Sequence, residues 1–291
     1  MKQRFLAYLK YEKRYSPHTV TAYQIDLDQF FEYLAHQYNV TDISDADHPM
    51  IRSWVAMLME SGITPRSVNR KLTTLKSFYR YLLREGAILT NPMQKVISPK
   101  SVKKLPVFID RDRMEQLLDG TPFDEGYPAK RNQLILELFY STGMRLSELV
   151  HLKESDLDFH HQTIKVLGKR NKERLIPFGN NISSLLMGYL EEKKRAFGEV
   201  DNLIMTDKGK PVYPRMVHRI VTSYLGKVTT HEKKSPHVLR HTFATHLLNN
   251  GAELNAVKEL LGHANLAATQ IYTHNTIDNL KRIYKQAHPK A

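Results

Sequence analysis

The chain has 291 residues, enough for two domains, and its 41% hydrophobic and 25% charged residues are typical of a soluble globular protein. Its 43 Lys and Arg against 30 Asp and Glu give a net charge of +13, so a polyanion such as nucleic acid is the first candidate partner; the alternative is a solvated basic surface without one. Cysteine is absent, which excludes disulfides, thiolate metal sites and a cysteine nucleophile.

The N-terminal sequence and the lengths of the apolar runs indicate where in the cell the protein is expected. MKQRFLAYLKYEKR is basic and lacks the apolar run of a secretory signal. No apolar stretch approaches the roughly eighteen residues of a membrane span. We therefore expect a cytoplasmic protein that does not contact a membrane.

The first third of the chain is predicted to be a helical bundle. Ser16 is a predicted N-cap with Pro17 at the first helical position, and Thr64 and Pro65 repeat this pattern. Apolar residues recur at helical spacing in both segments and in a third segment around Trp54. The helix after Thr64 is strongly basic and is the predicted DNA-binding element through Arg66, Arg70, Lys71 and Lys76.

A basic linker is predicted over residues 97–106. This stretch is rich in proline and lysine and has no usable period. Its cations Lys103 and Lys104 are predicted to lie along a phosphate backbone. The predicted domains are therefore 1–96 and 107–291.

The second domain shows a mixed pattern. Helices are predicted at 111–119, 129–143, 180–197, 213–227, 236–250, 253–261 and 265–286. Residues 163–178 resemble a β-hairpin with a Gly-Lys-Arg-Asn turn, and 203–212 a short strand with a turn. The expected fold class is mainly α with a small β element.

The segment SPHVLRHTFATHLLNNG is a candidate anion site. Ser235 and Pro236 mark a helix start, so His237 and Arg240 lie in the first turn on one face. First-turn amides, an imidazole and a guanidinium together suit a phosphate. A histidine-rich helix with local polar contacts is the alternative. A zinc site is disfavoured because His237 and His241 have neither a following Glu nor a cysteine to complete it.

Two further clusters carry cations. Arg145 follows a glycine where a helix restarts, with Glu148 three residues later, and alone this pair would be a surface ion pair. The hairpin turn holds phosphate-contact or general-acid candidates, for which a solvated turn is the alternative; they are Lys169, Arg170, Lys172 and Arg174. Arg215 on a later helix is a further candidate DNA contact.

Together these residues match the needs of metal-independent phosphodiester cleavage. Two arginines neutralise the non-bridging oxygens, a lysine or histidine protonates the leaving 5′-oxygen, and a nucleophile must be deprotonated. Tyr272 in GHANLAATQIYTH is the candidate nucleophile, although a phenol needs assistance at neutral pH. An ester between Tyr272 and the phosphate would conserve the energy of the phosphodiester bond, so rejoining the DNA strand needs no cofactor.

The order Arg145, Lys169, His237-x-x-Arg240, His263, Tyr272 resembles the tyrosine recombinases of the lambda-integrase type. TGMRLSEL, HVLRHTFATHLL and LLGHANLAATQIYTH are similar to the Xer group, which resolves chromosome dimers. The resemblance covers essentially the whole chain. It implies a SAM-like core-binding bundle and an α+β catalytic domain that form a clamp around DNA.

The resemblance also implies roles for the motif residues. Arg145 and Arg240 would clamp the scissile phosphate, and Lys169, after the glycine of VLGK, would protonate the leaving 5′-hydroxyl. Tyr272 would attack to form a 3′-phosphotyrosyl link.

The supporting roles follow in the same way. His237 would assist proton transfer and hold the phosphate, His263 would hydrogen-bond a non-bridging oxygen, and Glu148 would orient the site without reacting. Arg170 stands where the family often has a second glycine, and Ala268 where a threonine is common. Neither departure removes a reacting group.

The implied partners are double-stranded DNA carrying a specific site and other recombinase protomers. The resemblance implies a tetramer on two duplexes, formed with itself or with a second Xer-type recombinase. The C-terminal helix would dock into a neighbouring protomer; folding back on its own domain is the alternative. A cell-division DNA translocase and a location at the nucleoid are implied with the Xer group.

Three other functions remain open at this stage. A mobile-element integrase and a type IB topoisomerase, which nicks and reseals one strand, would use the same residues. An architectural DNA-binding protein with an inactive site would lack at least one reacting residue, and none is missing here. Base-reading residues stay unranked among Arg66, Asn69, Arg70, Arg215 and His218.

Overall fold

In the computed structural model, the chain divides into two compact units, Met1–Lys104 and Leu105–Ala291. The structure describes residues 1–102, 106–120, 123, 126–168, 173–262 and 274–290. Within these residues, no helix is long and apolar enough to cross a bilayer.

The first unit is helical, as predicted. Its helices are α1 (Lys2–Ala7, continued by a π-helical turn Tyr8–Glu12), α2 (Pro17–Tyr38), α3 (His48–Glu60) and α4 (Pro65–Arg84). The predicted caps are confirmed, because Ser16 Oγ and Thr64 Oγ1 each accept a backbone N–H from the first turn of their helices. Phe5 from α1, which the sequence analysis left unassigned, packs in the same core as Phe30 and Trp54.

The basic helix α4 is joined to α2 by a buried carboxylate. Asp26 is fully buried and accepts hydrogen bonds from Arg70 Nη2 at 2.8 Å, Lys71 Nζ at 3.1 Å and Thr74 Oγ1 at 2.9 Å. Lys71 also donates to Gln29. The prediction that Lys71 contacts DNA is therefore wrong, since its side chain is only 8% exposed and its ammonium is held inside the unit.

The other cations of α4 differ in exposure. Arg66 is exposed, and Arg70 exposes 52% of its side chain while pairing with Asp26. Lys76 is half-buried, with Nζ 3.5 Å from Ser98 Oγ. Asn69 Nδ2 donates to Pro99 O at 2.9 Å, so the side-chain NH2 group of this base-reading candidate is hydrogen-bonded within its own unit.

The second unit contains a helical core around a small sheet. Its helices are α5 (Arg111–Glu115), α6 (Tyr127–Thr142), α7 (Leu146–Val150), α8 (Asn180–Phe197), α9 (Pro214–Val228), α10 (Pro236–Asn249), α11 (Leu254–Leu261) and α12 (His274–Ala287). Nearly every side chain in the second half of α6 is buried, which makes it the central helix. Leu239, Phe243 and Leu247 of α10 face the core, as predicted.

The sheet is an antiparallel meander of β1 (Leu157–Asp158), β2 (Thr163–Leu167) and β3 (Glu173–Pro177). The predicted hairpin is confirmed by the β2–β3 register, which runs from Thr163 opposite Pro177 to Leu167 opposite Glu173. Residues 203–212 form a turn closed by an isolated bridge between Met205 and Pro211 instead of the predicted strand.

The C-terminal helix α12 packs on its own unit. Leu280, Tyr284 and Ala287 are buried in a cluster with Phe243 of α10 and residues of α11. Asn250 donates to Ala287 O at 2.7 Å. This is the arrangement that the sequence analysis kept as the alternative to docking on a neighbour.

Candidate active site

The connection between α6 and α7 brings a guanidinium and a carboxylate together. α6 ends at Gly143, and Arg145 immediately precedes α7. Glu148 Oε2 accepts the backbone N–H of Arg145 at 2.6 Å, which is the acidic half of a capping box. Arg145 Nη1 donates to Glu148 Oε1 at 2.8 Å. The local sequence GMRLSEL therefore builds this pair by itself.

Glu148 is the centre of a buried ion cluster. Arg174 of β3 donates from Nη1 to Oε1 at 2.6 Å and from Nη2 to Oε2 at 2.9 Å, a bidentate pair. Burial acts to raise the pKa of Glu148, but the bonds and charges of Arg174 and Arg145 outweigh it and lower that pKa to about 2. Glu148 is thus ionised at neutral pH and hydrogen-bonded to both arginines.

Arg240, the fifth residue of α10, binds backbone carbonyls instead of an acid. Its Nη1 donates to Gly143 O at the end of α6, and its Nη2 donates to Leu261 O at the end of α11 at 2.6 Å. Carbonyls at a helix C-terminus lack intrahelical donors and carry the negative end of the helix dipole. They hold the guanidinium without neutralising its full charge.

The end of α11 holds the other two arginines in the same way. Arg145 Nη2 donates to Gly262 O at 2.9 Å, and Arg174 Nε donates to Leu260 O at 3.0 Å. Because Leu260, Leu261 and Gly262 are consecutive, their carbonyls bring all three guanidinium groups to one place.

Two glycines make these helix ends possible. Gly143 and Gly262 have φ angles of +59° and +64°, the left-handed conformation that terminates helices. A Cβ on Gly143 would lie 2.4 Å from Phe243 Cδ1, and one on Gly262 would lie 2.9 Å from Arg174 Cδ. Any larger residue would displace the carbonyls or the side chains that they bind.

The cluster carries an excess of two positive charges, because Glu148 is the only acidic partner of the three arginines among the described residues. Burial, and after it the charges of Arg145 and Arg174, lower the pKa of Arg240 to about 9, so it remains protonated at neutral pH. Arg145 exposes 25% of its side chain. A partly open site with this charge is suited to a phosphate.

The histidines of α10 lie beside Arg240 on the same helix. His237, three residues before it, is exposed, and His241 is half-buried. Burial, and then the neighbouring His237, lower the pKa of His241. In the described ranges, no group of three or more His, Asp or Glu residues could hold a metal ion.

Several predicted site residues lie outside the described residues. They are Lys103, Lys104, Lys169, Arg170, Lys172, His263 and Tyr272. The sequence alone relates two of them to the cluster, since His263 follows Gly262 and Tyr272 precedes the first residue of α12 by two.

The prediction that Arg174 is a DNA-contacting turn residue is wrong. It lies in β3 opposite Val166, its side chain is 4% exposed, and its guanidinium binds Glu148. The alternation of ERLIP contained the signal, because Arg174 is two residues from the buried Ile176 and so shares its face.

A groove lies along α9. Its volume is about 910 Å³, and its lining includes Leu146, Tyr213, Arg215, His218 and Arg219. Arg215, His218 and Arg219 are exposed. Leu146, which directly follows Arg145 in the sequence, connects the groove lining to the segment that carries the arginine cluster.

Comparisons of sequence with known families cover both units. The profile described as "Phage integrase family" matches residues 108–278, and that described as "Phage integrase, N-terminal SAM-like domain" matches residues 3–86. The tyrosine recombinase XerC of Chlorobaculum tepidum is 39% identical over 314 aligned positions, which span 99% of this chain and 94% of that protein.

Solved structures with a similar fold include recombinases bound to DNA. XerH in a post-cleavage complex with a palindromic difH substrate aligns with a TM-score of 0.74 at 22% identity, over 99% of this chain and 82% of that one. A lambda integrase tetramer bound to a Holliday junction aligns with a TM-score of 0.65 at 19% identity, over 93% of this chain and 79% of that one.

Proposed function

The chain belongs to the phage integrase family, the tyrosine recombinases, and we propose that it resolves chromosome dimers by site-specific recombination at a dif-like site. The observation that carries the chemical part is the cluster of Arg145 and Arg240 with its excess positive charge beside an ionised Glu148. The near full-length similarity to XerC supports dimer resolution over a mobile-element integrase or a topoisomerase.

The scissile phosphate is proposed to bind between Arg145 and Arg240. Arg145 is the more exposed of the two, and a guanidinium has five N–H donors. Two N–H groups of the Arg240 guanidinium donate to the carbonyls of Gly143 and Leu261, so its other N–H groups remain for the non-bridging oxygens of the phosphate. Because these arginines are already oriented by the fold, they stabilise the charge of the transition state without reorganising.

Strand cleavage is a transfer of one ester bond to another. The phenol oxygen of Tyr272 attacks the phosphorus, the bond to the 5′-oxygen breaks, and a 3′-phosphotyrosyl ester forms. Lys169 supplies the proton that the 5′-oxygen takes up, and the phenol proton passes to a base such as His237. His263 hydrogen-bonds a non-bridging oxygen. Attack by a 5′-hydroxyl reverses these steps, so no cofactor is consumed.

The DNA interface is proposed to include the groove of α9 and the exposed face of α4. Arg215, His218 and Arg219 line the groove together with Leu146, the residue after Arg145 in the sequence. Arg66 is exposed near the start of α4, whereas Asp26 holds Lys71 inside the unit. Together the two units would form a clamp around the duplex.

The active assembly is proposed to be a tetramer on two duplexes, with itself or with a second Xer-type recombinase. Docking of α12 on a neighbour would first expose Leu280, Tyr284 and Ala287, so the neighbour must supply an equivalent apolar site. A cell-division DNA translocase is a proposed regulator. Such an enzyme would act in the cytoplasm, at the nucleoid.

A nicked suicide substrate carrying the target site tests the proposal. The nick lets the short strand downstream of the cut diffuse away, so the covalent intermediate accumulates. We expect a denaturant-stable protein–DNA adduct with the native chain and none with Tyr272→Phe. An adduct that persists in Tyr272→Phe would show that another residue is the nucleophile.

A further inference from the structure

Arg174 is more deeply buried than a DNA-contacting arginine or an ordinary surface cation would be. It lies in β3 on the same face as the buried Ile176, and its side chain is 4% exposed. A group this buried cannot reach a phosphate on DNA. Its contacts are instead with Glu148 and with the carbonyl of Leu260.

The contact with Glu148 controls where Arg145 points. Glu148 receives two bonds from Arg174 and two from Arg145, so both oxygens are fully used. Without Arg174, the buried carboxylate would lose half of its donors. Arg145 is the nearest remaining cation and would turn toward it, away from the carbonyl of Gly262 and from a bound phosphate.

The contact with α11 supports the same geometry from a second side. Arg174 Nε binds Leu260 O, and its Cδ lies only 2.9 Å from where a Cβ on Gly262 would be. The carbonyls of Leu261 and Gly262, which hold Arg240 and Arg145, belong to this same turn of chain. Arg174 therefore packs beneath the backbone that holds both phosphate-binding arginines.

We propose that Arg174 is a positioning residue for strand cleavage, which holds Glu148 and the end of α11 so that Arg145 and Arg240 are aimed at the scissile phosphate before DNA binds. This inference rests on the proposed function of the cluster. It also links the clamp to the hairpin, because Arg174 pairs with Val166, three residues before Lys169.

A neutral phosphate analogue separates this role from simple stabilisation. Replacing one non-bridging oxygen of the scissile phosphate by a methyl group removes the negative charge that the arginines neutralise. Cleavage is measured under single-turnover conditions on the phosphate substrate and on both methylphosphonate diastereomers. Each variant is compared with the native chain on the same substrate.

We expect Arg174→Gln to cleave the phosphate substrate about 100-fold more slowly, since a displaced catalytic group costs a loss of that order. The loss should shrink on a methylphosphonate, as it should for Arg145→Gln. Arg174→Lys keeps the charge but cannot form all three contacts, and it should show a smaller loss with the same dependence on the substrate. It serves as the test if Arg174→Gln does not fold.

Arg131→Gln is the matched control. Arg131 is also a buried arginine of the second unit, with 3% exposure, but it pairs with Asp207. Any loss that its removal causes through stability should be equal on both substrates.

The outcomes distinguish the two proposals. An equal loss on both substrates for both Arg174 variants, with an unequal loss for Arg145→Gln, would overturn the positioning role and leave the phosphate clamp standing. An equal loss for Arg145→Gln itself would overturn the clamp, and with it the role of Arg174.

Discussion

Each unit of the protein contains a buried carboxylate that binds at least two cations, Asp26 in the first unit and Glu148 in the second, and the two clusters differ in the groups around those cations. Asp26 joins α2 to α4 through Arg70 and Lys71. The Lys71 ammonium also donates a hydrogen bond to the side-chain oxygen of Gln29. Glu148 joins α7 to β3 through Arg145 and Arg174.

The difference lies in the groups beyond the carboxylate. Around Glu148, a further arginine, Arg240, is held among the described residues by carbonyls at helix ends, which leaves net positive charge beside a partly exposed Arg145. A buried cluster that completes its own bonds orients helices. Two cations share Asp26, which leaves one excess positive charge, whereas the Glu148 cluster includes Arg240 as well and has an excess of two. This larger excess beside backbone carbonyls separates the candidate active site from the structural cluster.

The largest effect is expected from Asp26→Asn. Removing one partner of a buried ion pair costs about 3–5 kcal/mol, because Lys71 would be left buried without an acid. Hydrogen exchange of the α2 and α4 amides in the full chain measures this local stability.

Asp28→Asn is its control on the same helix. Asp28 pairs with Lys2 but exposes 37% of its side chain, so its loss should cost less than about 1 kcal/mol. Equal effects of the two variants would contradict the structural role of Asp26.

A second prediction concerns acid and the Glu148 cluster. The folded-state pKa of Glu148 is about 2, below the ordinary value of 4.5, so its ionisation stabilises the fold above pH 4.5 and this contribution disappears as the pH falls toward 2. The shift corresponds to about 3 kcal/mol. Unfolding of the second unit, followed from pH 6 to 2, should lose about 3 kcal/mol less stability in Glu148→Gln than in the native chain. The dependence that remains comes from other groups such as His288, whose pKa burial lowers to about 3.

Glu115→Gln provides the comparison for the acid experiment. Glu115 is 49% exposed and pairs with Arg111 on the surface. The native pH dependence should survive this change. If Glu148→Gln retained the full native dependence, the ionised cluster would not contribute to it.

The smallest effect distinguishes an exposed cation in the proposed DNA interface from an exposed cation outside it. Arg66→Gln should reduce the slope of log affinity for DNA against log salt by about 1, because one phosphate contact is lost. Arg195→Gln, an equally simple change at a 70% exposed arginine of α8 that pairs with Glu192, should leave the slope unchanged. An unchanged slope for Arg66→Gln would remove α4 from the DNA interface at that point.

Sequence reasoning predicted what local rules determine. Proline after Ser16 and Thr64 marked two helix starts, and alternation marked the hairpin. The pairing of Arg145 with Glu148 follows from their spacing at a helix start.

Long-range contacts were beyond those rules. Lys71 and Arg174 were both taken for DNA contacts, since a cation on a helix face or near a turn is usually solvated. Their partners, Asp26 and Glu148, lie 45 and 26 residues away in the sequence. The carbonyl ligands of Arg240 could not be foreseen either, because backbone groups carry no mark in the sequence.

The most direct test compares cleavage by the two carboxylate variants with DNA at saturation. Under single-turnover conditions on the nicked substrate, at a temperature where both variants are folded, Glu148→Gln should bind DNA but cleave it about 100-fold more slowly than the native chain. Asp26→Asn should need more DNA to saturate and then cleave at close to the native rate. Native-rate cleavage by Glu148→Gln, or an equal slowing in Asp26→Asn, would contradict the division between a structural cluster and a catalytic one.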